Sequence, residues 1–324
     1  MINVGILGFG YMGEIRKKFL DKDCDFSVKA IFHNEKIEGD FDYYDDWKEV
    51  VKRDDLDVIF VCLPNYLIKD AVIYSLQNGK HVFAEKPPGI SVEEVKEMEK
   101  HSLISNKKIK FGFNHRYQPA IVKLKNIVDS KVYGEMLWCR GRYGKSVDDS
   151  FLNSWRSDKK YSGGGIVIDQ GIHILDIFLY LFGNFDEVKS FLTNTFWKKN
   201  IEDNAFIMMK NKKDQVVSVH STMIDWRYLF TIEVFFEDGY VTVNGLQTKT
   251  GRYGKQILSY SDNKYKICKK DYSNMEIIEY GEVDKSWMFE IDEFKDSIVN
   301  DSPIDIGNVS DALNIMTLLE KIYN

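Results

Sequence analysis

The chain has 324 residues, 44% hydrophobic and 29% charged, with a formal net charge of −6. This balance excludes a disordered or collagen-like chain, and the acidic surplus argues against a nucleic-acid partner, whose phosphates need concentrated Lys and Arg. A length beyond one ordinary hydrophobic core predicts two domains, drawn at 1–120 and 121–324.

The chain opens on "INVGILG", with no charged leader or cleavage site, and no apolar run reads as long enough to span a bilayer. A cytoplasmic protein with no membrane partner is expected. The first strand runs directly into "GFGYMG" (Gly8, Phe9, Gly10, Tyr11, Met12, Gly13), followed by the helix-like "EIRKKFL". In this setting the glycines allow a tight turn, close approach of a pyrophosphate, and close helix–strand packing, while the helix N-terminus attracts the phosphate charge. The second strand, "VKAIF", ends at His33 and Asn34, where dinucleotide sites carry a ribose-reading carboxylate. No Asp or Glu stands there, so a 2′-phosphate is not repelled and Lys36 could help hold one, while Glu35 keeps the matter open. The cofactor is therefore NAD or NADP, leaning toward NADP.

"DVIFVCL" and "HVFAE" continue the alternation of short apolar strands and polar helices that marks a parallel sheet buried on both faces. The second of them delivers Glu85 and Lys86 to the carboxyl end of the sheet, where such sheets bind ligands. Pro87 and Pro88 restrict the backbone and aim the lysine. Ser91 and Glu94 have the spacing of a capping box, and "IKFGFN" ends this half of the chain at Asn114.

After "NHRYQPA" the pattern changes. An apolar helix-like block, 165–182, precedes long alternating runs such as "VVSVHSTMI" and "LFTIEVFFE" and a closing helix over 308–323. The fold class is α/β: an N-terminal Rossmann doubly wound parallel sheet, then an α+β domain with a large, mostly antiparallel open sheet. Within 165–182, Asp169, His173 and Asp176 share one helical face, and a helix so apolar must give its polar groups partners or work. Cys24, Cys62, Cys139 and Cys268 form no CxxC pair and read as buried apolar residues; no metal site is signalled. His220 reads as a strand histidine. The basic residues at 140, 142, 145, 252 and 255 read either as contacts to a phosphate-bearing substrate or as solvated strand ends.

Taken in order, "GFGYMG", "LPN", "AEKP", "NHRYQPA", "SGGGIVIDQGIHILD" and the final helix ending in Tyr323 resemble the family of glucose–fructose oxidoreductase, inositol dehydrogenase and the MocA proteins over nearly the whole chain. The resemblance implies that Lys86 lies beside nicotinamide and substrate and that Asp169 and His173 are the family's DxxxH catalytic pair. It adds Pro64, Asn65, Glu85 and Asn114 to the cofactor contacts and gives Trp155 and Arg156 a place near nicotinamide or substrate. The chain departs from the pattern at Ile68, where members commonly carry His. "EDNAF", "HSTMIDWRYLF" and "GLQTKTGRYGKQILSY" resemble a sugar or nucleotide-sugar branch. The implied activity is NAD(P)-dependent hydride transfer to or from a CH–OH group of such a substrate. Its alternatives are a cyclitol dehydrogenase, a nucleotide-binding sensor or partner subunit without turnover, and glycoside hydrolysis with a recycled nicotinamide. Apolar residues on both faces of 229–243, together with the resemblance, predict a homodimer or homotetramer joined through the second sheet.

Overall fold

Six parallel strands make the first sheet in the computed structural model of the chain, which describes residues 1–245, 255–262, 275–281 and 284–324. In chain order the elements of this half are β1 (Ile2–Leu7), α1 (Tyr11–Leu20), β2 (Phe26–Phe32), β3 (Asp42–Tyr44), α2 (Trp47–Val51), β4 (Val58–Val61), α3 (Asn65–Gln77), β5 (His81–Ala84), α4 (Val92–Ser105) and β6 (Ile109–Phe111). The order across the sheet is β3-β2-β1-β4-β5-β6, so the winding reverses between β1 and β4. Strands as apolar as "VIFV" are stable here because helices cover both faces. At α4 only half of the expected capping box forms. Ser91 Oγ accepts from Glu94 N at 3.3 Å, while the Glu94 carboxylate turns to Ile90 N at 2.8 Å.

The second half contains α5 (Pro119–Ser130), β7 (Met136–Ser146), α6 (Asp149–Leu152), α7 (Lys159–Ser162), α8 (Ile172–Phe182), β8 (Glu187–Thr193), β9 (Asn204–Lys210), β10 (Val216–Thr222), β11 (Ile224–Phe236), β12 (Gly239–Gly245), β13 (Gln256–Asp262), β14 (Glu276–Tyr280), α9 (Ser286–Val299) and α10 (Val309–Tyr323). Its sheet runs β14-β13-β12-β11-β7-β10-β9-β8, antiparallel at every pairing except β7 with β10. On β11, Phe230, Ile232, Val234 and Phe236 are buried on one face. Gly141 on β7 lets α8 come close, since a Cβ there would sit 2.4 Å from Ile174 Cδ1. The other face holds a groove of about 600 Å³ lined in part by Arg140, Phe191, Phe206, Met208, His220 and Leu229, of which Phe191, Phe206 and Met208 are exposed. On this face Trp138 also stacks on Phe235, centroids 4.3 Å apart.

Three sequence expectations need correction. The chain divides into unit 1 (Met1–Asn114, Tyr161–Gly163, Trp287–Thr317) and unit 2 (His115–Lys160, Gly164–Ser286, Leu318–Asn324), so 287–317 belongs with the first half rather than the second. The reason is apolar burial: Ile291 and Phe294 of α9 enter the core formed by Ile2, Val4, Phe60 and Phe83, and Phe294 meets the Phe83 ring edge-on at 5.7 Å. Next, Lys159–Phe182 is, by length and composition, apolar enough to cross a membrane, although most of it is buried inside the fold. Finally, Cys24 is exposed rather than buried, and Cys268 lies outside the described residues.

Candidate active site

The three glycines of "GFGYMG" have three different environments in unit 1. Gly8 has φ +90°, and a Cβ on it would lie 2.5 Å from Cys62 O. A Cβ on Gly13 would lie 2.2 Å from Gly8 O, so the start of α1 presses on the turn that leads into it. At Gly10 a Cβ would meet nothing within 4 Å. Gly10 is also the N-cap of α1, extended in φ/ψ, and no side chain caps the helix there. The turn is therefore closed by Gly8 and Gly13 and open at Gly10, which fits a pyrophosphate against the backbone at a helix N-terminus. Phe9 packs on Phe41, centroids 5.9 Å apart.

Beyond β2, the His33 backbone is bound by β3: His33 N donates to Tyr44 O at 3.3 Å, and Tyr43 OH donates to His33 O at 3.1 Å. Asn34, Glu35 and Lys36 are exposed. Pro64 is the N-cap of α3, and Asn65 Nδ2 donates to Ser162 O at 2.8 Å, so this side chain pins Tyr161–Gly163 onto unit 1. Ile68 is fully buried. Lys86 is half-buried just past β5, and Asn114 is buried where unit 1 ends.

Glu85, a cofactor contact in the sequence reading, is held by Arg16, whose Nε donates to Glu85 Oε1 at 2.6 Å and whose Nη1 donates to Glu290 Oε2 at 2.7 Å. The guanidinium lies between the rings of Phe83 (4.3 Å) and Trp287 (4.8 Å). Burial works against its charge, but Glu85 and Glu290 outweigh burial and hold the Arg16 pKa above its ordinary value. Burial also pushes Glu290 up to about 7 against the pull of Arg16 and Lys110. Glu290 is thus the carboxyl of this cluster that burial holds above its ordinary range. The sequence offers no signal for this cluster beyond a basic residue three positions after Gly13.

In unit 2 the turn carrying Asp169 is π-helical over Val167–Gly171 and passes into α8, a local widening that often marks functional sites. The glycine run before it is required by contact. A Cβ on Gly164 would sit 2.0 Å from Tyr323 OH, and one on Gly165 would sit 2.2 Å from Glu202 O. Buried Glu202 accepts from Gly165 N (2.8 Å), Val167 N (3.0 Å) and Tyr323 OH (2.8 Å), and so fastens the start of the turn. Burial pushes the Glu202 carboxyl up, against those donors.

Asp169 forms an ion pair with Lys145 at the end of β7. His173 is buried and stacks on His115, centroids 3.9 Å apart and planes 23° apart. His115 Nε2 lies 3.3 Å from Tyr143 OH, a phenol whose pKa burial pushes up despite a hydrogen bond with Gln170. Asp176 accepts from Arg116 through both oxygens at 2.6 and 2.8 Å, and both side chains are buried. Neither His115 nor Tyr143 stood out in the sequence, although His115 lies inside "NHRYQPA".

Trp155 is half-buried in a short 3₁₀ turn with exposed Arg156 stacked over its ring at 4.6 Å. The basic residues considered for a phosphate-bearing substrate pair along the sheet instead: Arg140 with Glu233, Arg142 with Asp225 at 3.0 Å, and Lys255 with Glu279, while 252 lies outside the described residues. His220 stacks on Phe206 and bonds Asn204 Oδ1 at 2.9 Å, a strand histidine as expected. Asp23, Cys24 and Asp25 bring possible metal ligands together, but Lys295 Nζ already bonds both carboxylates, at 2.5 and 3.2 Å.

Residues 2–113 match the model of the oxidoreductase family with an NAD-binding Rossmann fold, and residues 121–242 match the GFO/IDH/MocA C-terminal domain. A levoglucosan dehydrogenase of Pseudarthrobacter phenanthrenivorans is 27% identical over 59% of this chain and 54% of its own length. A D-glucoside 3-dehydrogenase of Escherichia coli is 31% identical over 49% of this chain and 45% of its own. A 2,7-anhydro-N-acetylneuraminate hydratase of Escherichia coli is 24% identical over 76% of this chain and 66% of its own. The chain spans about half the length of the first of these curated relatives. Among solved structures, a levoglucosan dehydrogenase in complex with NADH superposes with a TM-score of 0.83 at 20% identity, covering 99% of this chain and 96% of that one.

Proposed function

We propose, from the premise that this chain belongs to the Gfo/Idh/MocA oxidoreductase family, that it is an NAD(P)-dependent dehydrogenase or reductase acting on a secondary alcohol or ketone of a sugar or nucleotide sugar. The observation that carries this reading is the turn closed at Gly8 and Gly13 and open at Gly10, at the head of α1 in a doubly wound sheet. Relatives named as dehydrogenases of levoglucosan and of D-glucosides support the substrate class. The cofactor is NAD or NADP. The lean toward NADP rests on the missing carboxylate after β2 and on exposed Lys36.

Bound nicotinamide supplies a hydride acceptor at its C4. Oxidation takes a hydride from the carbinol carbon and a proton from its hydroxyl, leaving a carbonyl. His173 receives the proton and returns it in the reverse direction. Lys86 donates a hydrogen bond to the substrate oxygen and stabilises the alkoxide charge that develops there. Asp169, fixed by Lys145, orients substrate hydroxyls or the His173 ring. Trp155 and Arg156 border the substrate.

A second reading, turnover without net consumption of nicotinamide, is favoured by the relative named as a hydratase. We also propose that copies associate as a homodimer or homotetramer through the second sheet's groove-bearing face, where Phe191 and Phe206 are exposed. Light scattering that gives the mass of one chain at micromolar concentration refutes that assembly.

The functional test is direct. Nucleotide extracted from fresh protein is identified by mass, and added NAD(P) is followed with a panel of sugars and nucleotide sugars. Stoichiometric reduction with one of them is expected. Product formation without net reduction favours the second reading, and no bound nucleotide with no turnover overturns both.

A further inference from the structure

Arg16 sits three residues past Gly13 on α1, the helix whose N-terminus would meet a pyrophosphate, and its Nε bonds Glu85 at 2.6 Å, the residue directly before Lys86. The guanidinium is fully buried between Phe83 of β5 and Trp287 of α9, and its Nη1 bonds Glu290 at 2.7 Å. Three elements therefore converge on one planar cation. Gly112 leaves the pair its room, because a Cβ there would lie 3.0 Å from Arg16 Nη2 and 3.1 Å from Glu85 Oε2.

Stability alone does not account for the cluster. A buried charged triad is costly to desolvate, and apolar side chains of similar volume often serve a core equally well. Here the arrangement also leaves Arg16 Nη2 and Glu290 Oε1 with no hydrogen-bond partner among the described residues. What the triad supplies is directional: a forked donor ties the end of β5 to α1 at a set angle, which a point charge or a methyl group does not do.

We infer that Arg16 is a positioning residue for Lys86, coupling the helix that receives the dinucleotide to the strand end that presents the lysine, so that binding nucleotide and aligning Lys86 occur together. This inference rests on the proposed role of Lys86. Glu85 acts as the link rather than as a cofactor ligand.

The test compares wild type with Arg16→Lys and with the triple variant Arg16→Met/Glu85→Gln/Glu290→Leu. The triple variant removes the buried charges together and is expected to keep the fold even if Arg16→Lys does not, which a thermal melt checks. Calorimetry gives the NAD(P) affinity, and mass spectrometry follows acylation of Lys86 with and without dinucleotide. In the triple variant, kcat is expected to fall by about 10- to 100-fold, the scale of a misplaced reacting group, with dinucleotide Kd within about threefold. Dinucleotide is expected to change the Lys86 acylation rate in wild type and to leave it unchanged in the variant. Wild-type kcat in the triple variant, or an undiminished response of Lys86 to dinucleotide, overturns the inference. Lys86→Met separates the two proposals: if it retains turnover, the catalytic reading of Lys86 fails, while the acylation comparison still decides whether Arg16 couples the two elements.

Discussion

His115 and His173 lie ring over ring, with centroids 3.9 Å apart. Two imidazolium cations at that separation repel strongly in a buried site, so the protonation of one ring is tied to that of the other. His115→Phe keeps an aromatic partner for the stack and removes its charge. The acid limb of the pH profile for alcohol oxidation should then move to higher pH, because the stacked ring can no longer carry a charge that opposes protonation of His173. A profile that does not move would show that the two rings titrate independently.

Gly10→Val separates nucleotide binding from folding. With nothing within 4 Å of the new Cβ, the melting temperature should stay near that of wild type. The side chain occupies the pyrophosphate's approach, and affinity for NAD(P) should fall at least about 100-fold, close to 3 kcal/mol. Gly13→Ala should do the opposite and destabilise the fold, since its Cβ meets backbone at 2.2 Å. Calorimetry and thermal melts on the two proteins check both halves, and unchanged affinity in Gly10→Val refutes the first.

Lys145 partners Asp169, with both side chains mostly buried. Lys145→Met should leave dinucleotide affinity unchanged and lower kcat/KM for the sugar by about 10- to 100-fold, as expected when an orienting carboxylate loses its anchor. Steady-state kinetics with saturating cofactor would reveal it. Wild-type kcat/KM would mean that Asp169 needs no fixing.

Glu290 gives a pH signature of stability. Burial raises its folded pKa to about 7 from an ordinary 4.5. A raised carboxyl contributes stability that is fully present below the unfolded pKa and is lost as pH rises through the folded one. Glu290→Gln keeps the shape of the acid and does not ionise, so its stability relative to wild type should increase between pH 5 and pH 8 by on the order of 1–3 kcal/mol. Urea denaturation at the two pH values tests this, and a difference that does not change with pH rules it out.

Local signals carried the fold. "GFGYMG" between a strand and a helix, short apolar runs in "VIFV" and "HVFA", and the alternation of β11 all report burial that depends on near neighbours in the chain. The glycines before Asp169 were visible as a motif, but their cause was not: Glu202 and Tyr323 press on them from far along the chain. Arg16 shows the same limit. A basic residue on an amphipathic helix reads as solvated, and only the arrival of Glu85 and Glu290 makes it a buried hub. Lys145 reads in the sequence as one positive charge among several, and its pairing with Asp169 joins a strand end to a turn 24 residues onward, a contact with no local signature. The helical pattern of 165–182 likewise concealed the π turn, since one extra residue per turn does not change which residues are apolar.

The union of Arg16 with Glu290 spans 274 positions of chain. A ribosome adding about 5–20 residues per second therefore makes Arg16 wait on the order of tens of seconds for its second carboxylate, and Phe60 and Phe83 wait somewhat less for the Phe294 ring. Until α9 emerges, the nascent nucleotide-binding half presents an uncovered apolar sheet face with a guanidinium on it, a surface suited to a chaperone. The half that begins synthesis first is thus among the last to close.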